Sequence, residues 1–124
     1  MRKTLKMRNK ELVIECNAAS PIIHKRIWGE NLMINLQKMD ASNPMESIEF
    51  IQRAVYTFYV TAMRGVKEAL NANKDDCIDF LSDFEMMEFA DPDILDQIIE
   101  AWGVNIHSES EPKNQEGPQQ ENQP

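Results

Sequence analysis

The longest amphipathic stretch of this 124-residue chain decides its fold; it is IEFIQRAVYTFYVTAMRGVKEAL, residues 48–70. Its apolar side chains recur at steps of three and four residues, which places them on one face of an α-helix. They are Ile48, Ile51, Val55, Phe58, Ala62, Val66 and Leu70. Asn43, Pro44 and Glu46 form a start signal with Asn43 as the N-cap. We therefore predict a central helix over residues 44–72, roughly 40 Å long at 1.5 Å per residue.

Upstream of this helix, residues 4–8 and 11–16 alternate apolar and polar side chains, as half-buried β-strands do. Asn9 and Lys10 separate the two stretches and predict a two-residue hairpin turn. The apolar side chains of the two strands share one face of the hairpin: Leu5, Met7, Leu12, Ile14 and Cys16. An isolated hairpin is marginal in water, so we expect this face to pack on helices.

Three more helices follow from caps and apolar spacing. The first covers residues 20–39, with Ser20 as its N-cap and Gly29 as an interruption. A short helix is expected over residues 77–87, and a last one over 92–102. The predicted fold class is therefore α+β and mainly α, with an N-terminal β-hairpin packed on about four helices. Residues 1–106 form a single domain in this interpretation.

Residues 107–124 contain Ser, Glu, Pro, Gln, Asn and Gly but no apolar side chain apart from proline. Such a segment cannot bury enough surface to offset its ordering entropy, so we predict a disordered polar tail.

The formal charge is −8, and it is unevenly distributed. Lys113 is the only cation after Lys74, whereas acidic residues crowd the region from Asp75 to Glu100. An acidic half disfavours nucleic acid as a partner. Two interpretations of it stay open: a solvated helix surface, or a docking face for a basic partner. The sequence contains no run of about 18 apolar residues, so it predicts no membrane span.

Residues of catalytic or ligating type are scattered. His24 and His107 are isolated, and we expect His24 to be a partly buried helix residue. Cys16 and Cys77 lie far apart in apolar patterns and are expected to be reduced thiols. No phosphate-binding glycine loop or calcium loop is present in the sequence. We therefore expect no enzyme activity, no catalytic residue, no cofactor and no metal.

The eight methionines allow two interpretations, an adaptable binding surface or simple core filling. Core filling is expected at Met33, Met39, Met63 and Met87. Met45 and Met86 are the better surface candidates.

The stretch SPIIHKRIWGENL at residues 20–32 resembles an early motif of the tail assembly chaperones of long-tailed phages and prophages of Gram-positive bacteria. The family motif contains Thr-Pro, an aromatic-Arg pair, and Phe-Gly followed shortly by Asp-Leu. The corresponding positions here are Ser20-Pro21, Trp28-Gly29 and Leu32. Three positions depart from the motif, since His24 replaces the aromatic residue, Lys25 the Arg and Asn31 the Asp. Any tie that the Arg and Asp make in the family must be made differently here.

A later pair of stretches, IDFLSDFE at 78–85 and IIEAWGVN at 98–105, is similar to the family's late pattern. That pattern is a helix with Leu-x-x-Phe-Glu, then a helix that ends in Trp with Asn close behind. The long helix lies between the two motifs, as in the family. The resemblance covers residues 3–106.

The resemblance implies a protein that binds the long tape-measure protein in the host cytoplasm during virion assembly. It also implies help for the major tail protein to polymerise around that client, sometimes through a longer frameshifted product, and absence from the mature virion. Self-association to a homo-oligomer would let many copies cover one client. The expected mechanism is helix-in-groove binding without chemistry.

Four aromatic residues are candidates for partner contacts: Trp28, Tyr56, Phe89 and Trp102. Each is equally a candidate for the core. The alternative function is a small regulatory or antitoxin-like interaction module. That function requires a basic helix for DNA, and the only basic regions are residues 2–10 and Lys25-Arg26.

Overall fold

A two-stranded antiparallel sheet and five α-helices build the part of the chain that the computed structural model describes, residues 1–40 and 42–103. The strands are β1 (Arg2–Lys6) and β2 (Glu11–Glu15). The helices are α1 (Ser20–Trp28), α2 (Leu32–Lys38), α3 (Ile48–Ala69), α4 (Lys74–Leu81) and α5 (Pro92–Trp102). Short 3-10 helices occupy Pro44–Ser47 and Glu88–Ala90. The predicted α+β, mainly helical fold class is confirmed. The predicted tail, 107–124, and the boundary at 106 lie outside the described residues.

The hairpin packs as its alternation predicts. Leu5 pairs with Leu12 across the sheet, and both are buried with Ile14. β2 lies against α3 and β1 against α5. The turn, however, is shifted by one residue from the prediction. The Met7 N–H donates to the Lys10 carbonyl at 2.9 Å, so Arg8 and Asn9 form the turn.

Helix α3 is central, because residues 54–58 are all buried. A helix loses its solvent-exposed face only where other elements surround it. One cluster of core residues joins α3 to the hairpin, α2 and α5, and a second joins it to α1 and α4.

The predicted length of the central helix is wrong at both ends. It starts at Ile48 after a 3-10 turn, and Asn43 makes no side-chain cap bond. Near its end Gly65 adopts φ 82° and ψ 163°, a conformation open essentially to glycine alone. This break turns the last residues away from the helix axis. Val66, predicted on the buried stripe, is accordingly exposed.

The predicted helix over residues 20–39 is two helices. Gly29 ends α1 in the left-handed conformation with φ 73°, which its lack of a Cβ permits. Asn31 then caps α2 by accepting the Ile34 N–H at 2.9 Å. Ser20 is not the cap of α1, since its Oγ instead accepts the Asn17 N–H at 2.9 Å.

Capping residues set where the last two helices begin. Asn73 caps α4 by accepting the Asp75 N–H at 2.7 Å, so α4 begins at Lys74, earlier than predicted. It also ends earlier, at Leu81. Helix α5 has the predicted bounds, and Gly103 follows it in the left-handed conformation with φ 69°.

Cysteine and methionine positions complete the description of the core. Cys16 and Cys77 form no disulfide, and burial raises the pKa of both thiols to about 12. Of the methionines predicted to fill the core, only Met39 is buried. The other three are exposed, namely Met33, Met63 and Met87. Met45 and Met86 are exposed, as predicted.

Candidate partner-binding surface

Three of the four aromatic candidates lie in the core. Tyr56, Phe89 and Trp102 are buried, whereas Trp28 remains partly exposed. Trp28 and Tyr56 contact each other edge to face, with ring centroids 6.2 Å apart. Trp102 lies on the other side of α3, where it packs edge to face on Phe58 at 5.8 Å. The four candidates therefore do not form one exposed surface in this structure.

An apolar groove runs between the start of α1, helix α2 and the end of α5. Its volume is about 320 Å³. The apolar side chains that line it include Cys16, Pro21, Leu32, Met33, Leu36, Phe58 and Trp102. The indole N–H of Trp102 is buried and has no hydrogen-bond acceptor among the described residues. An unpaired buried donor is uncommon in a folded protein.

A second groove, of about 530 Å³, adjoins the first and shares Pro21 and Leu32 with it. Ile22, Lys25, Arg26 and Asn31 line the rest. Because the two grooves meet, we treat them as one feature and call it the α1–α2 surface. It is defined by Pro21, Ile22, Lys25, Arg26, Leu32, Met33 and Leu36.

Two large apolar side chains of the α1–α2 surface face solvent. Ile22 is 61% exposed and Met33 is 39% exposed. Sequence reasoning missed both residues, and it assigned Met33 to the core. The available signal was periodicity: the buried stripe of α1 contains Ile23 and Ile27, so Ile22 falls off that stripe. An apolar side chain off the buried stripe of a helix marks a surface contact candidate.

A smaller groove of about 300 Å³ lies near Trp28 and α4. Cys77, Ile78 and Leu81 line it together with Arg53 and Trp28. Ile78 is exposed at its edge. Trp28 is the only one of the four aromatic candidates in this groove, which lies apart from the α1–α2 surface.

A buried polar network holds α1 against α3. His24, which we expected to be partly buried, is fully buried. Its Nδ1 lies 2.8 Å from Thr57 Oγ1, and its Nε2 lies 2.7 Å from Glu30 Oε2. Arg53 donates two hydrogen bonds to the Glu30 carboxylate, at 2.9 and 3.0 Å. Since an ionised carboxylate can only accept, His24 Nε2 carries a proton and donates it to Glu30.

The charges of this network depend on burial and pairing. Burial lowers the pKa of His24, although the hydrogen bond to Glu30 acts in the opposite direction. Burial opposes ionisation of Glu30, but hydrogen bonds from Arg53 and His24 outweigh it and lower the pKa of Glu30. The network therefore joins α1, the α1–α2 connection and α3 through a neutral imidazole and one ion pair. One member of this network, His24, is a position where the chain departs from the family motif.

The acidic second half pairs with the basic hairpin. Arg8 bonds Glu85 at 2.7 Å and Asp91 at 3.0 Å. The hydrogen bonds to Asp91 and Glu85 raise the pKa of Arg8. Two lysines make similar pairs, Lys3 with Glu100 and Lys10 with Asp83. Part of the acidic half is thus neutralised within the chain, which favours a structural role over a docking face at these positions.

Glu88 anchors the hairpin turn to the 3-10 helix before α5. Its carboxylate is buried and accepts the Arg8 N–H at 3.0 Å and the Glu85 N–H at 2.7 Å. Because both donors belong to irregular backbone, the Glu88 carboxylate replaces the partners that regular secondary structure provides.

Within residues 1–40 and 42–103, no group of three or more His, Cys, Asp or Glu side chains is placed to hold a metal ion. Helices of this part of the chain are all too short or too polar to cross a membrane. No protein-family model, curated protein or solved structure matches the chain. The resemblance to tail assembly chaperones therefore stays a hypothesis that depends on the motifs quoted above.

Proposed function

We propose that this chain is a tail assembly chaperone that binds apolar helical segments of a phage tape-measure protein. The observation on which the proposal rests is the α1–α2 surface, where two adjoining grooves place Ile22 and Met33 in solvent beside Leu32 and Leu36. Contiguous exposed apolar surface of this kind is typical of interaction sites. A groove between two helices suits an apolar helix face with side chains at three- and four-residue steps.

The family motif supports the same location. Pro21 and Leu32 are motif positions, and both line the grooves. In this proposal the protein acts in the host cytoplasm, keeps its client soluble and helps the major tail protein assemble around it. It is then released before the virion is mature. Trp28 contributes to a second, smaller contact rather than to the main one.

Co-expression with the tape-measure protein from the same genome tests the proposal. We expect the client to aggregate alone and to co-elute with this chain on size-exclusion chromatography, with several copies per client. Apolar burial should dominate, so raising the salt concentration should weaken the complex only slightly. A client that is equally soluble with and without this chain, and never co-elutes with it, would contradict the proposal.

Matched variants locate the contact. Met33→Glu places a charge on the α1–α2 surface and should abolish co-elution. Met86→Glu makes the same chemical change at a side chain that is 79% exposed and lies outside that surface, so it should have no effect. Equal behaviour of the two variants would show that the client binds elsewhere. Specific capture of DNA at physiological salt would instead favour the regulatory alternative.

A further inference from the structure

The α1–α2 surface carries positive charge on an acidic protein. Lys25 and Arg26 are exposed and line the groove beside Ile22. Neither takes part in an ion pair within the described residues, and the carboxylate of Glu30, at the start of the α1–α2 connection, is bonded to Arg53 and His24 instead. Several other cations are paired within the chain, among them those of the hairpin. Two adjacent cations at the edge of an apolar groove thus have no ion-pair partner among residues 1–40 and 42–103.

The α1–α2 surface has an apolar part and a cationic edge, and each requires a different feature of the ligand. The apolar part, from Pro21 and Ile22 to Leu32 and Met33, requires apolar side chains on one face of the ligand. The cationic edge favours carboxylates next to that face. The net charge of −8 repels an acidic ligand over much of the remaining surface, so favourable contact with carboxylates depends on this edge.

We infer that the segment bound by the α1–α2 surface is an amphipathic helix whose apolar stripe is bordered by Asp or Glu side chains that pair with Lys25 and Arg26. This inference rests on the proposed function and adds the charge pattern and orientation of the client segment. The carboxylates set the direction in which the helix lies, because only one end of the surface carries the two cations.

Two synthetic helical peptides test the inference on the full-length chain. Both carry the same leucine stripe; one has Glu and the other Lys at the positions that border it. We expect the Glu-bordered peptide to bind about three- to tenfold more tightly at low salt, since exposed ion pairs contribute modestly. The difference should shrink as the salt concentration rises. Fluorescence anisotropy of labelled peptides measures both affinities.

Charge-reversal variants assign the effect to the two cations. The double variant K25E/R26E should invert the preference between the peptides. K6E/K67E makes the same change in charge at exposed lysines outside both the α1–α2 surface and the groove near Trp28, and it should keep the native preference. Circular dichroism confirms that both variants stay folded.

Two kinds of failure are distinguishable. In the first, the native chain binds both peptides with equal affinity and Met33→Glu binds neither. This result would overturn the inference and leave the apolar surface as the binding site. Tighter binding of the Lys-bordered peptide would also overturn it. If neither peptide binds the native chain, both the inference and the proposed use of this surface are overturned.

Discussion

Replacement of Phe58 by alanine tests the central position of α3. Its side chain is 2% exposed, and its ring packs edge to face on Trp102 at a centroid distance of 5.8 Å. A buried aromatic side chain removes about 150–250 Å² from water. At about 25 cal/mol per Å² this corresponds to about 4–6 kcal/mol for the whole side chain. Alanine keeps the Cβ, whereas the lost ring leaves a cavity.

We therefore expect Phe58→Ala to lower the free energy of unfolding by about 3–5 kcal/mol, in the range of other buried Phe deletions. The edge contact with Trp102 contributes about 0.5–1.5 kcal/mol of this loss. The lower end of the range applies if the site collapses, since Phe58 borders the groove between α1 and α5.

Urea denaturation followed by tryptophan fluorescence measures this loss, with Trp102 as a reporter next to the site. Phe58→Leu is the matched control and should cost less than about 1.5 kcal/mol, because it keeps most of the apolar volume. A loss below about 1 kcal/mol for Phe58→Ala would refute the reasoning. It would mean that Phe58 is accessible in solution, and Phe58 would then become a contact candidate for the client.

Three other predictions follow from single residues. The lowered pKa of His24 means that the unfolded chain binds more protons as the pH falls below about 6.5, so melting temperatures should fall between pH 7 and 5. His24→Phe should flatten this fall of the melting temperature with pH. Glu30 loses its stabilising charge only below this pH range. An unchanged fall in His24→Phe would contradict the assignment of the effect to His24. Gly65→Ala should destabilise by about 1–3 kcal/mol in thermal unfolding because of its φ and ψ, although no atom obstructs a Cβ there. Stabilisation would instead indicate a continuous helix. Glu88→Ala should cost about 1–3 kcal/mol in urea unfolding by leaving two backbone N–H groups without an acceptor, and Glu88→Gln should cost less; equal losses would show that the retained oxygen is not used.

Local patterns in the sequence predicted the hairpin and the bounds of α5, but not the division of residues 20–39 into α1 and α2. The alternation around Leu5, Leu12 and Ile14 predicted the buried hairpin face, because the period of a strand is two whatever it packs on. Asp91, Pro92 and Gly103 predicted the bounds of α5, since caps satisfy backbone groups within a few residues. The turn of the hairpin was misplaced by one residue, because Asn9 suits either central position of a two-residue turn and the register is set by the pairing of Leu5 with Leu12.

The break at Gly65 shows a limit of periodicity. The apolar spacing continues through residue 66, and a glycine within such a pattern is compatible with a continuous helix. After the break at Gly65 the chain places Ala69 and Cys77 in one core cluster with Tyr56. This placement depends on contacts between distant elements, which local spacing does not contain.

The same division between local sequence patterns and contacts of distant elements applies to the candidate site. The sequence by itself determined that the chain has an apolar helical scaffold, a basic start and an acidic second half, since these are properties of residue order and composition. Only the tertiary structure decided which apolar residues remain in solvent and which charges remain unpaired. Tyr56 and Phe89 became core, whereas Ile22 and Met33 stayed exposed beside Lys25. The physical reason is that burial and ion pairing are set by which helix faces meet, and those meetings join residues far apart in the chain.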